Sequence, residues 1–276
     1  MRWRSGVALI CAAGAGAADP LSHVQDWRLT SARADFGGLS AIEMVDGTAA
    51  MVLSDRGAAF VLTLDRTTRR VQIEEAAQPR PARDSEGLAR SGDTLFFSYE
   101  GPGAIVAHDG AQVPPHPDFA TYPPNGSLEA LAAAPDGTIY TLPERSGDPA
   151  RGFPVYRYRD GAWDIAATLP REGPFLPAGA DVGPDGLLYI LERAFTPLGF
   201  RSRIRRLDPD APDRIDTLLT TPAGRHDNLE GLAIWQSESG ATCLTMVSDD
   251  NFLSAQRTEL VEYALTETLA SGGTCD

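Results

Sequence analysis

The stretch Asp227-Asn228-Leu229-Glu230-Gly231-Leu232-Ala233, followed by Val247-Ser248-Asp249-Asp250-Asn251-Phe252, decides the fold. Two short apolar segments each carry carboxylates at one end. Upstream the same unit recurs more loosely. Asp84-Ser85-Glu86-Gly87-Leu88-Ala89 leads to Phe97-Ser98-Tyr99-Glu100, and Glu129-Ala130-Leu131-Ala132 leads to Leu142-Pro143-Glu144-Arg145. Ala180-Asp181-Val182 leads to Ile190-Leu191-Glu192-Arg193, and Gly38-Leu39-Ser40-Ala41-Ile42 leads to Leu53-Ser54-Asp55-Arg56. Taking Ser40, Glu86, Glu129, Asp181 and Glu230 as anchors, the spacings are 46, 43, 52 and 49 residues.

Repeats of this length, each built of about four short strand-like runs, are the mark of β-propeller blades. Turn pairs recur between the first and second runs: Asp46-Gly47, Gly92-Asp93, Asp136-Gly137 and Asp185-Gly186. One four-stranded sheet cannot bury both faces alone, whereas sheets packed radially around a channel can. In repeat two, Pro114, Pro115 and Pro117 weaken the fourth strand. Repeat five shows only three strands, and Val24–Thr30 stands spare before repeat one. The expectation is an all-β propeller of five four-stranded blades in one domain spanning 19–276, its last blade closed by the N-terminal strand. A six-bladed ring with one degenerate blade is the alternative.

Residues 1–18 read as an export signal: basic Arg2 and Arg4, a short apolar run from Gly6 to Ala13, then small residues before Asp19. A periplasmic or secreted protein is expected. Removal of Cys11 with the signal leaves Cys243 and Cys275, an even pair consistent with one disulfide in an oxidising compartment. A net charge of −14 excludes a phosphate-backbone binder, and the mature chain shows no membrane segment. The expected partner is a small molecule, and the expected state a monomer.

In a propeller the innermost strands line the channel. Their acids, Glu86, Glu129, Asp181 and Glu230, are expected at one mouth. So are the acids ending the second strands, Asp55, Glu100, Glu144, Glu192 and Asp249, with Asp84, Asp227 and Asp250 nearby. Such a cluster requires cations, protons or arginines. Arg56, Arg145 and Arg193, each directly after a second-strand acid, supply inter-blade salt bridges or an anion site. The remaining acids, with Asn125, Asn228 and Asn251, are hard oxygen donors, a set that favours Ca²⁺ or Mg²⁺ over zinc. The four histidines lack metal spacing, and only His226 falls near the rim, where it is a candidate general base. No G-x-S-x-G elbow, P-loop or G-x-G-x-x-G is present.

The series G-G-L-S (37–40), S-D-R-G (54–57), D-S-E-G-L (84–88), N-x3-E-A-L-A (125–132), L-E-R (191–193), D-N-L-E-G-L-A (227–233) and S-D-D-N-F (248–252) resembles the phytase-like family described as having esterase-like activity. The resemblance implies an exported propeller with a calcium-dependent hydrolase site for a small ester or phosphoester. On that reading Glu86, Glu129, Glu230, Asp249 and Asp250 hold calcium. Glu86, Glu230 and Asp249 take catalytic roles, and Arg56, Arg145, Arg193 and Asn228 bind substrate. A non-catalytic ligand- or protein-binding propeller, with acids and arginines as inter-blade glue, is the first alternative; a propeller-type lactonase is the second.

Overall fold

The computed structural model describes residues 19–76, 85–101 and 103–275; the export signal, Cys11 and Asp84 lie outside them. The chain forms five four-stranded antiparallel sheets. The N-terminal strand β1 (Leu21–Arg28) is set aside for the last of them. Blade one comprises β2 (Leu39–Met44), β3 (Ala49–Ser54), β4 (Ala59–Asp65) and β5 (Arg70–Glu75). Blade two comprises β6 (Ser85–Ser91), β7 (Thr94–Tyr99), β8 (Ala104–Ala107) and a two-residue β9 (Gln112–Val113), cut short by the prolines that follow. Blade three comprises β10 (Leu128–Ala133), β11 (Ile139–Pro143), β12 (Phe153–Arg159) and β13 (Ala162–Leu169). Blade four comprises β14 (Leu176–Val182), β15 (Leu188–Thr196), β16 (Gly199–Leu207) and β17 (Ile215–Thr220). Blade five orders β18 (Asn228–Gln236), β19 (Thr242–Asp249) and β20 (Glu259–Leu265) from the axis outwards, with β1 as its outer strand. The ring therefore has five blades, and the chain's first strand closes it. A short helix, α1 (Thr266–Ala270), follows.

The inner strands β2, β6, β10, β14 and β18 pack side by side in a closed ring. They are short, apolar and almost wholly buried, as strands covered on both faces must be. The core lies between blades rather than at one centre. The cluster of Leu39, Val52, Phe60, Trp235, Val247 and Leu260, for example, fills the junction of blades five and one. A disulfide joins Cys243 to Cys275, Cα atoms 5.9 Å apart, and ties the tail to β19 inside this cluster.

Closure is reinforced by one buried acid. Glu262, on β20, receives Arg66 from the turn after β4 at 2.6 and 3.1 Å, Gln25 from β1 at 3.1 Å and the Thr245 hydroxyl at 3.2 Å. Arg66 also lies over the Trp235 ring. Blade one, blade five and the N-terminal strand thus meet on a single carboxylate.

Candidate functional site

Each inner strand carries a β-bulge near its start, where the pairing register with the second strand slips by one residue. The slips fall between Leu39 and Ala41, Ser85 and Gly87, Leu128 and Ala130, Pro177 and Gly179, and Leu229 and Gly231. The extra residues are Ser40, Glu86, Glu129, Ala178 and Glu230, and all five line the axis. A bulge re-aims a side chain that regular alternation would place elsewhere. The residue after it must be small, because the neighbouring inner strand approaches closely. A Cβ on Gly179 would stand 2.4 Å from the Glu230 carbonyl oxygen, and one on Gly231 would stand 2.9 Å from the backbone of Ala41 and Ile42. The Glu-Gly-Leu motif is therefore a bulge acid followed by a packing glycine.

The second strands end at the same rim. Counting from the paired residues, the equivalent positions are Asp55, Glu100, Glu144, Arg193 and Asp249. Four blades supply an acid there. Blade four, whose bulge residue is Ala178, supplies an arginine. The mouth therefore holds seven carboxylates, at Glu86, Glu129, Glu230, Asp55, Glu100, Glu144 and Asp249, around the Arg193 guanidinium.

Arg193 donates to Glu144 at 3.2 Å and lies 3.1 Å from Glu230, so it bridges blades three, four and five. The Asn228 amide donates to Glu230 at 2.8 Å, while its buried Oδ1 has no hydrogen-bond partner. Burial pushes the Glu86 carboxyl up to about 8, helped by Glu230, Glu100 and Asp55 and opposed by Arg193. Burial likewise carries Asp249 up to about 7, with Glu230 next in effect. Glu129 is pushed well above the carboxylate range by burial and then by Glu86, Glu144 and Glu230. Glu230 is raised by burial and held back by Arg193 and Asn228. Acids packed this closely retain protons rather than ionise together.

Several residues read from the sequence stand elsewhere. Asp181 lies at the opposite mouth. The repeat-four bulge falls three residues earlier, at Ala178, so Asp181 corresponds to Glu43 of blade one rather than to the rim acids. There it accepts the backbone N–H groups of Ile234 at 2.6 Å and Val182 at 2.7 Å, beside a solvent-open cavity of about 400 Å³ shared with Glu43 and Arg90. Glu192 is one residue short of the rim position, and alternation turns it into the blade. It is fully buried and clamped by Arg203 and Arg205 at 2.7–2.9 Å. His226 is also buried, with Nε2 2.8 Å from the Tyr263 hydroxyl, and burial lowers its pKa to about 4.

Asp250 is engaged in holding the loop. Its carboxylate accepts Gly38 N–H at 2.9 Å, Phe252 N–H at 3.0 Å and the Thr258 hydroxyl at 2.8 Å. A Cβ on Gly38, whose φ is +59°, would strike Phe252 and Asp55. The paired motifs G-G-L-S and S-D-D-N-F thus form one joint between blades one and five. Phe252 in turn carries Arg56, whose guanidinium carbon stands 3.3 Å from the ring centroid. Arg145 is exposed and pairs with Glu144 at 3.0 Å. Asp227 accepts Gln256 at 3.1 Å and Arg257 N–H at 2.8 Å, fixing the far side of the same loop.

The donor set suits a hard cation: Glu86 and Glu129, which burial and neighbouring acids keep protonated, and an amide oxygen of Asn228 buried without a partner. With Arg193 lying between Glu144 and Glu230, no three acids among the described residues are spaced to hold an ion as they stand. Nor is any helix among the described residues long and apolar enough to cross a membrane.

A five-bladed propeller with an acid-ringed mouth is the class that fold and site define. The chain belongs to the phytase-like family described as "Esterase-like activity of phytase", whose model matches residues 34–252. No curated protein sequence matches it. Among solved structures it is similar to an α-L-arabinofuranosidase from Podospora anserina, at 11% identity and TM-score 0.50, covering 86% of this chain and 93% of that one. It is also similar to a glutaminyl cyclase from Myxococcus xanthus, at 11% identity and TM-score 0.45, covering 88% and 95% respectively. A calcium-binding regucalcin from Agrobacterium tumefaciens aligns at 11% identity and TM-score 0.44, over 83% and 78%. At this identity the likeness is one of fold.

Proposed function

We propose that the chain is an exported hydrolase of small esters whose acid ring takes a divalent cation, calcium first. The observation that carries this reading is the ring of seven carboxylates around the Arg193 guanidinium at the bulged mouth. Glu129 and Glu230, with Asn228 Oδ1, would hold the ion, and Asp250 would keep its loop in place. A bound calcium ion would polarise the ester carbonyl and acidify a water. Asp249, poised near neutrality, accepts the proton of the attacking water as its oxygen adds to the acyl carbon. Glu86, protonated at neutral pH, gives its proton to the departing alkoxide as the acyl–oxygen bond breaks. Export belongs to the same reading, since the Cys243–Cys275 disulfide suits an oxidising compartment.

Calorimetry of chelator-stripped protein with calcium tests this reading, alongside Glu230→Gln/Asp249→Asn. Binding heat that the double variant loses, together with calcium-stimulated ester cleavage, supports it. No heat, with thermal stability unchanged by calcium, defeats it and leaves the second reading. In that reading the propeller is non-catalytic and Arg193 is glue, favoured by its bridge across three blades.

A further inference from the structure

The three most exposed large apolar side chains among the described residues are Leu198 at 81%, Phe195 at 73% and Leu253 at 57%. All three stand just beyond the rim. β15 pairs with β14 only as far as Arg193 opposite Leu176, yet it continues with β16 to Thr196 opposite Gly199. The hairpin tip therefore overhangs the inner strand, starting one residue past the rim arginine. Phe195 packs on Phe200, centroids 5.2 Å apart, and Leu198 caps the turn. Blade five neighbours blade four around the axis, and its second strand ends at its rim residue, Asp249, after which the chain enters the turn that bears Leu253. That turn is tied at two points: Leu253 N–H bonds the Asp250 carbonyl at 2.8 Å, and Phe252 is stacked under Arg56. Leu253 is presented outward from it.

Isolated exposed apolar residues mean little, but here the three most exposed ones follow the rim positions of two neighbouring blades at one polar mouth, where they offer a binding surface. The charge beside them narrows the occupant. Two of the three rim arginines, Arg145 and Arg193, are already paired with acids, and the third, Arg56, stacks on Phe252. On a chain of net charge −14, an acid ring of this kind repels a polyanion.

Resting on the hydrolase reading above, we infer that the substrate is an uncharged ester whose apolar acyl chain lies along Phe195, Leu198 and Leu253, rather than a highly phosphorylated compound. These three residues set acyl-chain preference. They touch the part of the substrate that does not react.

The test compares 4-nitrophenyl acetate, butyrate and octanoate on the full mature chain with calcium, using wild type and Phe195→Ser/Leu198→Ser/Leu253→Ser. Exposed positions tolerate such changes without loss of the fold. Burying a methylene is worth up to about fourfold, so even partial burial predicts kcat/KM rising by more than tenfold from acetate to octanoate. The triple variant should lose that rise and keep the acetate rate. A flat wild-type series, or the same rise in the variant, overturns the inference while leaving the hydrolase reading intact. If no ester is cleaved, the hydrolase reading fails, and calorimetry with N-methyloctanamide then judges the lip alone. Binding weakened about tenfold or more in the triple variant supports it; no binding, or equal binding, overturns it. Sedimentation with phosphatidylcholine vesicles that only the wild type shows would assign the lip to a membrane surface and also overturn it.

Discussion

The Arg193 guanidinium lies 3.1 Å from the Glu230 carboxylate, at the one rim position where the other four blades place an acid. Blade four lacks a bulge acid and contributes the counter-charge instead. The arginine is an internal cation that a ring of carboxylates would otherwise require from solution. Replacing it with Gln should leave Glu230 with only the Asn228 amide and Glu144 with only the exposed Arg145, and destabilise the chelator-stripped protein by about 3 kcal/mol. The same change should tighten calcium binding, because the ion no longer competes with a tethered guanidinium. Chemical denaturation and calorimetry on Arg193→Gln check both effects, and a variant that loses stability without gaining calcium affinity would leave Arg193 as glue alone.

Gly179 sets the spacing of blades four and five. Its added Cβ would meet the carbonyl oxygen of Glu230 and the N–H of Leu232 on the adjacent inner strand, both backbone atoms that cannot rotate away. Gly179→Ala should therefore cost about 2–4 kcal/mol, in the range of overpacked cores. Gly92→Ala, in a turn with open space but a positive φ, should cost about 1 kcal/mol. Urea denaturation of the two variants compares steric and conformational costs directly.

Blade number, the closing strand and the disulfide were legible because each leaves a local mark: a repeat period, an unpartnered strand, an even cysteine count. The acid ring was legible in blades two, three and five, where a bulge acid precedes a small residue. It was misread in blade four. Ala178-Gly179 has no acid to announce the bulge, and Asp181 three residues on imitates one. A one-residue offset also exchanged Glu192 for Arg193, and in a strand that offset turns a side chain from the rim into the blade. Asp250 reads as an oxygen donor by composition, but its use as a loop acceptor depends on Gly38, more than 200 residues away. The overhang at Phe195 left a signal that the strand boundaries hid, since Arg193-Ala194-Phe195-Thr196 continues the strand past Leu191.

Ring closure should depend on Arg66. Glu262 is fully buried, and its strongest partner is this guanidinium. Arg66→Ala strands a buried carboxylate and should cost about 3–5 kcal/mol, whereas Arg66→Met with Glu262→Leu should recover much of the loss, since a well-packed apolar pair can replace a buried ion pair. A double-mutant cycle by urea denaturation measures the coupling, and additive losses would show that the pair does not hold the ring.

His226 predicts a pH dependence of definite sign. Burial lowers its pKa from 6.5 to about 4, Arg225, His23 and Arg257 act in the same direction, and only Asp26 opposes. The folded protein therefore keeps this ring neutral while the unfolded chain takes up a proton below pH 6.5. Its contribution is fully present above pH 6.5 and is lost as pH falls towards 4, by roughly 2 kcal/mol over that span. The rim acids act oppositely: their folded pKa values are raised, so their contribution is present at low pH and lost as pH rises through about 7 to 8. A single stability curve would superpose the two. The difference between wild type and His226→Gln isolates the histidine, and it should be nearly constant above pH 7 and shift in the variant's favour from pH 6 to 4.5. A difference that stays level across this range would mean that His226 titrates normally in the folded protein despite its burial against Tyr263.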